Sequence, residues 1–442
     1  MSRFLIPGVL SAAVLTPVAA TAQDNADLAA MRAELAAMRA ELAQIKGAPA
    51  DSRTADLQEA TAAALEDARA RINYQTEELS AGHDGKFFLE SPEGDFRMNI
   101  GGQLQLRYVA NLQDDSADDG ETGFTLRRTK LKFDGHVTRD EKFSYALVLA
   151  GEDTNAGAVD GDFEIEDFVI GYKINDQFSA KIGQFKLPFA RQELISSSRQ
   201  VLADRSFATE FFTLDRGQGI QLEYKPNSEW KFVGNINDGA DSENADFDED
   251  ATNIAATARA EWTVFGKSSQ GKDAVAWRGE DDFLSLGAAG HVEFGETGDA
   301  TAESDVYTWT VDGLYESNGF SVLGAFYAIH ADDGSQDSYG LVAQPAYMLT
   351  DKFQIFGQYN FVDIAGLDDN NSIGGGFNYF IKKHNAKFTA DVLFFFDPVD
   401  DPDDTPTDAF TFNEPGTGIG VLEDTADSDN QIVIRAQFQL LF

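Results

Sequence analysis

The chain has 442 residues, no cysteine and a formal net charge of −41 at pH 7. The lack of cysteine excludes a disulfide framework and a thiolate metal site, and the surplus of carboxylates excludes a nucleic-acid binder, because phosphate backbones need basic surfaces. The length exceeds that of an ordinary soluble domain but suits one large closed β-barrel.

The first 22 residues are predicted to be a secretory signal peptide. Arg3 gives a positive start, residues 4–14 are mostly apolar, and the small residues at 20–22 are typical of a cleavage site. The apolar run is too short for a membrane helix and ends at Pro17. We therefore expect a mature chain that begins at Gln23 and reaches the periplasm.

Residues 23–80 are predicted to form an α-helical coiled coil in the periplasm. From Leu28 to Ile45 the apolar residues are spaced alternately by three and four positions, and the heptad that starts at Leu28 recurs at Leu35. Such a seam, flanked by Arg and Glu, is typical of an oligomeric coiled coil. The alternative is a frayed, mostly disordered arm, because a lone helix of this length is marginal in water.

Residues 81–442 are predicted to form an all-β, 16-stranded antiparallel transmembrane barrel. From about residue 87 the apolar period changes to 2, and the alternating runs are as long as a tilted strand that crosses a bilayer. A soluble β-sandwich is disfavoured, because no second apolar face is present. The predicted strands are 96–111, 124–137, 142–151, 163–174, 177–186, 217–225, 229–237, 252–262, 282–294, 305–316, 320–330, 338–350, 352–363, 370–381, 386–397 and 430–442.

The connections between these strands mostly alternate between short turns, expected in the periplasm, and longer acidic loops, expected outside the cell. One connection, 263–281, is long where a short turn is expected. It indicates either a periplasmic insertion or an error in the strand count.

The most informative connection is 187–216, between the fifth and sixth strands. A lumen of sixteen strands is too wide to be filled by strand side chains, so a loop folded inward can set the constriction. This loop is the least acidic of the long ones. Its candidate constriction residues are Arg191, Arg199, Arg205 and Arg216.

Bases on the strands are predicted to line the pore. Where Leu131 and Phe133 face lipid, their neighbours in the strand must face the lumen, because a charge on the lipid face costs several kcal/mol. The bases assigned to the lumen in this way are Arg128, Lys130, Lys132, Lys181, Lys231, Arg97, Arg107 and Arg435. A ring of Arg and Lys selects anions. Alternatively, the bases pair with lumenal acids such as Asp167 and Glu223 and stiffen the wall.

Two sequence elements carry a resemblance to a known family. The segment Ile182-Gly-Gln-Phe-Lys-Leu-Pro-Phe189, followed by the triplets at 197–199 and 204–206, resembles the phosphate-selective porin O and P family, and the segment at 124–131 is similar to the second strand of that family. The resemblance covers about residues 85–442. It implies a homotrimeric pore in the outer membrane of a Gram-negative bacterium, in contact with its lipid, that conducts small anions such as phosphate.

The resemblance also implies roles for individual residues. The basic constriction of the family would map onto the four loop arginines, with Arg127, Arg128 and Lys130 on the wall, and Phe442 would be the assembly signal. However, the outer loops are very acidic, with six carboxylates between Asp241 and Asp250. A general or weakly cation-preferring porin therefore remains an alternative, as does a structural barrel whose coiled coil contacts peptidoglycan or another part of the envelope.

No enzymatic chemistry is predicted. The five histidines lie on scattered segments without metal-ligand spacing, and no Ser–His pair is recognisable. We expect no catalytic residue, no metal and no cofactor.

Overall fold

The computed structural model describes residues 79–113, 121–151, 163–240, 242–244, 254–296, 304–331, 337–364, 369–397, 399, 416–422 and 430–442. The chain divides into two units, Met1–Glu78 and Leu79–Phe442, and the described residues belong to the second. The predicted signal peptide and coiled coil lie outside the described residues. No described helix is long and apolar enough to cross a membrane.

Sixteen antiparallel strands form a closed barrel, in which each strand pairs with the next and the last pairs with the first. The barrel strands are β3 Arg97–Gln113, β4 Thr122–His136, β5 Phe143–Gly151, β6 Phe163–Lys173, β7 Phe178–Lys186, β8 Arg216–Tyr224, β9 Trp230–Asn237, β10 Ile254–Phe265, β11 Phe283–Glu296, β12 Ser304–Ser317, β13 Phe320–Ala331, β14 Ser338–Met348, β15 Phe353–Asp363, β16 Asn370–Lys382, β17 Ala386–Phe395 and β18 Gln431–Leu441. The predicted all-β, 16-stranded antiparallel barrel is confirmed, and every strand ends within about three residues of its predicted position.

The barrel is polar inside and apolar outside, the reverse of a soluble protein. On β3, Gln105 and Arg107 are 1% exposed, whereas Leu104 and Leu106 are 42% and 46% exposed. Successive side chains of a strand point to opposite faces, so one face of the wall meets lipid and the other meets the lumen. Arg435 on β18 is equally buried, in accord with its predicted lumenal position.

Aromatic pairs lie at the end of the barrel that carries the short turns, called the turn end below. Phe143 contacts Tyr172 in a tilted arrangement at 4.6 Å between ring centroids, and Phe178 stacks with Tyr224 at 4.4 Å. Rings in this position are typical of the girdle at a membrane–water interface. In bacterial outer-membrane barrels the short turns face the periplasm.

A hairpin of two short strands, β1 Ser80–His83 and β2 Phe87–Glu90, precedes the barrel and was not predicted. Strand β2 pairs with the first four residues of β3, while β18 pairs with the same edge of β3 from Gln103 onward. Phe442 lies between the two, and its carbonyl accepts a hydrogen bond of 2.9 Å from the amide of Gly102. A Cβ at Gly102 would lie 2.3 Å from the ring of Phe442, so a larger residue there would displace this ring.

The connection between β10 and β11, residues 266–282, is called the turn segment below. It lies at the turn end, and strands predicted on both sides of it are present. The strand count was therefore correct, and the long connection is an insertion at the turn end.

Candidate permeation site

The segment 187–215, called the inner loop below, lies inside the barrel. It contains two short helices, α1 Arg191–Leu194 and α2 Phe207–Phe212. Side chains of the barrel wall hold its backbone: Gln439 Nε2 donates to the carbonyl of Ser198 at 3.0 Å, and Asn378 Nδ2 donates to that of Val201 at 2.7 Å. Because these donors come from β18 and β16, on the far side of the lumen, the loop crosses the barrel interior.

Apolar packing fixes the far end of the inner loop. Ser206 is the N-cap of α2, and its hydroxyl accepts a hydrogen bond of 3.1 Å from the amide of Thr209. Phe212 is fully buried and stacks on Tyr327 of β13 at 5.6 Å between ring centroids. Each buried Phe contributes roughly 1.5–3 kcal/mol. A Cβ at Gly340 of β14 would lie 2.4 Å from the Phe212 ring, so glycine at this position leaves space for the loop.

One fully buried carboxylate, Asp204, joins the inner loop to three arginines of the wall. It accepts hydrogen bonds from Arg107 at 2.7 Å, Arg127 at 2.7 Å and Arg128 at 2.9 Å. Arg127 and Arg128 both reach it because the register between β3 and β4 shifts next to them, between Gln105 and Arg107. A regular strand would have turned one of the two neighbours toward lipid.

Three of the four predicted constriction arginines form ion pairs. Arg191 lies 2.5 Å from Asp312, and Arg205 lies 2.6 Å from Glu193. Arg216 contacts several acids, with Asp167 at 2.9 Å among them. A paired arginine adds less field to the lumen than a free one, because the carboxylate cancels much of its charge.

Arg199 differs from the other three. It is exposed, and the only hydrogen bond of its side chain among the described residues is a contact of 3.4 Å to the carbonyl of Lys272. Of the predicted wall bases, Lys130 pairs with Glu166, whereas Lys132 donates to the neutral side chain of Gln103 at 3.0 Å. Lys181 lies 3.7 Å over the ring of Phe185 and has no carboxylate partner in the described part of the chain.

Below the inner loop is a cavity of about 590 Å³. Its lining extends from Arg191 and Arg199 to Lys225 and Glu229 in a turn at the turn end, with the wall of β7–β10 on one side. Eight side chains of the lining are basic and three are acidic. The basic ones are Lys181, Lys186, Arg191, Arg199, Lys225, Lys231, Arg259 and Lys272, and the acidic ones are Glu223, Glu229 and Glu261.

The turn segment closes part of the turn end of the barrel. Trp277 is buried and packs edge-on against Phe380 at 4.8 Å between ring centroids, and the Nε2 atom of His384 lies 2.8 Å from the carboxylate of Asp273. Burial lowers the pKa of His384 below its ordinary value of 6.5, although the hydrogen bond to Asp273 opposes the shift. His384 is therefore neutral at pH 7.

Sequence reasoning did not find several residues of this site. Arg259 forms a bidentate pair with Asp312 at 2.7 and 2.9 Å, next to Arg191. Lys272 was missed because the turn segment has no strand parity that would show where its side chains point. Arg97, predicted to be lumenal, pairs at 2.5 Å with Asp84 of the turn before β2, a contact that the sequence did not indicate.

The sequence was compared with known protein families and with solved structures. Residues 98–393, about two thirds of the chain, match the family described as phosphate-selective porin O and P. The chain belongs to this family. It is therefore an outer-membrane porin of Gram-negative type, and the resemblance seen in the sequence is confirmed. Its family is not enzymatic, as expected.

Solved structures with the same fold include other outer-membrane channels. An anion-selective porin from Comamonas acidovorans is 11% identical, with a TM-score of 0.53 and coverage of 78% of this chain and 99% of that chain. OmpF of Salmonella typhi in complex with daunomycin is 12% identical, with a TM-score of 0.52 and coverage of 78% and 98%. The channel DcaP of Acinetobacter baumannii is 12% identical, with a TM-score of 0.51 and coverage of 79% and 99%. No curated protein sequence matches the chain significantly.

No group of three or more His, Asp or Glu side chains in the described part of the barrel could hold a metal ion. The guanidinium and ammonium groups that line the cavity are donors of the kind that form charge-assisted hydrogen bonds with anions.

Proposed function

We propose that this porin conducts small anions, such as phosphate, in preference to cations. The observation that supports the proposal is the lining of the cavity below the inner loop, with its eight basic and three acidic side chains. Because a cation at about 4 Å in water attracts an anion by about 1 kcal/mol, and more where water is restricted, a few unpaired bases are enough to bias passage.

The bases that carry this preference are not mainly the predicted loop arginines. Arg191, Arg205 and Arg216 are paired with carboxylates, whereas Lys181 and Arg199 line the cavity without such a partner among the described residues. We assign the paired arginines to holding the inner loop in place. Lys181 and Arg199 then supply the attraction for anions.

The test is the reversal potential of purified protein in a planar bilayer under a KCl gradient. We expect a preference for chloride, and we expect added phosphate to reduce the chloride current. Lys181→Glu combined with Arg199→Glu should shift the preference toward potassium by several-fold. Lys142→Glu, in an exposed turn outside the cavity lining, is the control with the same kind of charge change and should leave the reversal potential unchanged.

A porin without anion preference, or with a cation preference, is the second candidate. It is favoured by the ion pairs of the loop arginines and by the acidic outer loops. Those loops act mainly at low salt, because the Debye length falls from about 30 Å at 0.01 M to about 3 Å at 1 M. A wild-type protein that prefers potassium at both ionic strengths, with no phosphate block, would contradict the anion proposal.

The remaining proposals concern assembly and the N-terminal region. We propose that the porin is a homotrimer, that Phe442 is its assembly signal, that residues 1–22 are a signal peptide, and that residues 23–80 form a periplasmic coiled coil in contact with peptidoglycan or another envelope component. Deleting residues 24–78 spares the hairpin β1–β2. Loss of envelope integrity with intact conductance would support a tether, whereas an intact envelope would contradict it.

A further inference from the structure

The turn segment enters the barrel from the turn end and is held there independently of the inner loop. Val275 is 1% exposed, and the hydroxyl of Ser321 on β13 donates to the carbonyl of Ala274 at 3.1 Å. The carboxylate of Asp273 contacts His384, in the turn after β16. These contacts fix the backbone directly after Lys272.

The inner loop and the turn segment each contain a short 3₁₀-helix that ends in a basic residue, and the two basic residues are in contact. Ser197–Arg199 of the inner loop ends at Arg199, and Gln270–Lys272 of the turn segment ends at Lys272. The Nη1 atom of Arg199 donates to the carbonyl of Lys272 at 3.4 Å. The two segments therefore meet at these residues, both of which line the cavity.

Both bases are available to a passing solute. Arg199 and Lys272 are exposed and line the cavity, and neither has a carboxylate within ion-pair distance among the residues that the structure describes. Because both side chains line the same cavity, their fields add there, and an anion in the cavity is attracted by both charges.

We propose that Lys272 determines ion selectivity together with Arg199, by forming an anion contact where the turn segment meets the inner loop. The inference rests on the proposed anion preference and extends it to a residue of the turn segment. The ligand class is a small inorganic anion, chloride or phosphate, that passes between an ammonium and a guanidinium group. The pore is then narrowed by two segments, the inner loop from the extracellular end and the turn segment from the periplasmic end.

A charge reversal with a matched control tests this role. Lys272→Glu is compared with Lys267→Glu, which changes the same charge on the same segment but at a side chain that is 75% exposed and outside the cavity lining. We expect Lys272→Glu to lower the anion-to-cation permeability ratio about fivefold, and Lys267→Glu to leave it unchanged. Equal ratios in the two variants would overturn the inference.

A second measurement uses the absence of native cysteine. Lys272→Cys and Lys267→Cys each introduce one thiol, and a bulky anionic thiol reagent is added to the side of the bilayer that the turn end faces. We expect the reagent to reduce current through Lys272→Cys and to leave Lys267→Cys unchanged. Labelling of Lys272→Cys without loss of current would overturn the inference, since the side chain would then lie outside the ion path.

The outcomes separate this inference from the proposed function. If the wild type prefers chloride and the two lysine variants behave alike, the anion proposal stands and the role of Lys272 fails. If the wild type shows no anion preference, the anion proposal fails. In that case a further shift toward potassium in Lys272→Glu, absent in Lys267→Glu, still supports a position of Lys272 in the ion path.

Discussion

Replacing Asp204 by asparagine removes the carboxylate that joins the inner loop to Arg107, Arg127 and Arg128. Asp204 is fully buried, and its contacts with the three arginines are 2.7–2.9 Å long. Removing one partner of a buried ion pair costs about 3–5 kcal/mol, because the remaining charge stays desolvated. Asparagine keeps one acceptor oxygen, so we expect a cost near the lower end of this range. The free energy that holds the inner loop in the barrel should fall by about 3 kcal/mol.

This loss should be measurable as exposure of the loop to protease. A protease is too large to enter the lumen, so trypsin can cut after Arg199 or Arg205 only when the loop leaves the barrel. When opening is fast, the cleavage rate follows the open population, and about 3 kcal/mol raises a small open population about 150-fold. Cleavage is followed by mass spectrometry of the fragments, with intact barrel confirmed by heat-modifiable mobility on a denaturing gel.

The control for this experiment is Asp140→Asn. Asp140 lies in an exposed turn and pairs with Lys142 at 3.0 Å, an interaction that solvent screens. We expect trypsin to cut the Asp140→Asn variant at the wild-type rate. If Asp204→Asn is also cut at the wild-type rate, the assignment of Asp204 as the anchor of the inner loop is refuted.

Three further predictions concern packing, pH and assembly. Gly340→Leu should displace the inner loop and speed cleavage of that loop by trypsin, because the leucine side chain would overlap the ring of Phe212. Cleavage as slow as in the wild type would contradict the packing of Phe212 against β14. Acidification from pH 8 to pH 5 should speed amide hydrogen exchange in the turn segment, after correction for the intrinsic exchange rate. The reason is that the pKa of His384 is lowered in the folded protein, so below pH 6.5 the folded protein binds fewer protons than the unfolded chain and loses stability. His384→Gln should remove this dependence. Phe442→Ala should slow barrel assembly in vesicles, followed by heat-modifiable mobility, and an unchanged rate would argue against an assembly signal.

The sequence predicted the barrel strands well because lipid outside and water inside impose a two-residue period on every strand. The hairpin β1–β2 escaped detection for the same reason, since its strands have only four residues each and show no repeated alternation. Parity correctly placed Arg107 and Arg435 in the lumen. It could not place Arg127, because the register shift that turns this side chain inward arises from pairing with β3 and not from the β4 sequence.

The site was less predictable than the fold. The sequence shows that loop 187–216 carries arginines, but several acidic partners of these arginines are distant in the chain. Arg191 pairs with a carboxylate 121 positions away. Which bases remain unpaired depends on such contacts, and therefore Lys181 and Arg199 could not be distinguished from the paired bases beforehand. The inward course of the turn segment depends in the same way on Trp277 and its distant ring partners.

The hairpin β1–β2 also has a protective consequence. Strand β3 has 17 residues, whereas its partner β18 has 11, so part of one β3 edge extends beyond the seam. An uncovered edge of this kind offers free backbone amides and carbonyls to other unfolded chains and promotes aggregation. Strand β2 occupies these positions, and the new outermost strand, β1, is only four residues long. The barrel thus exposes little sheet edge to the chaperones, proteases and unfolded proteins that share its compartment.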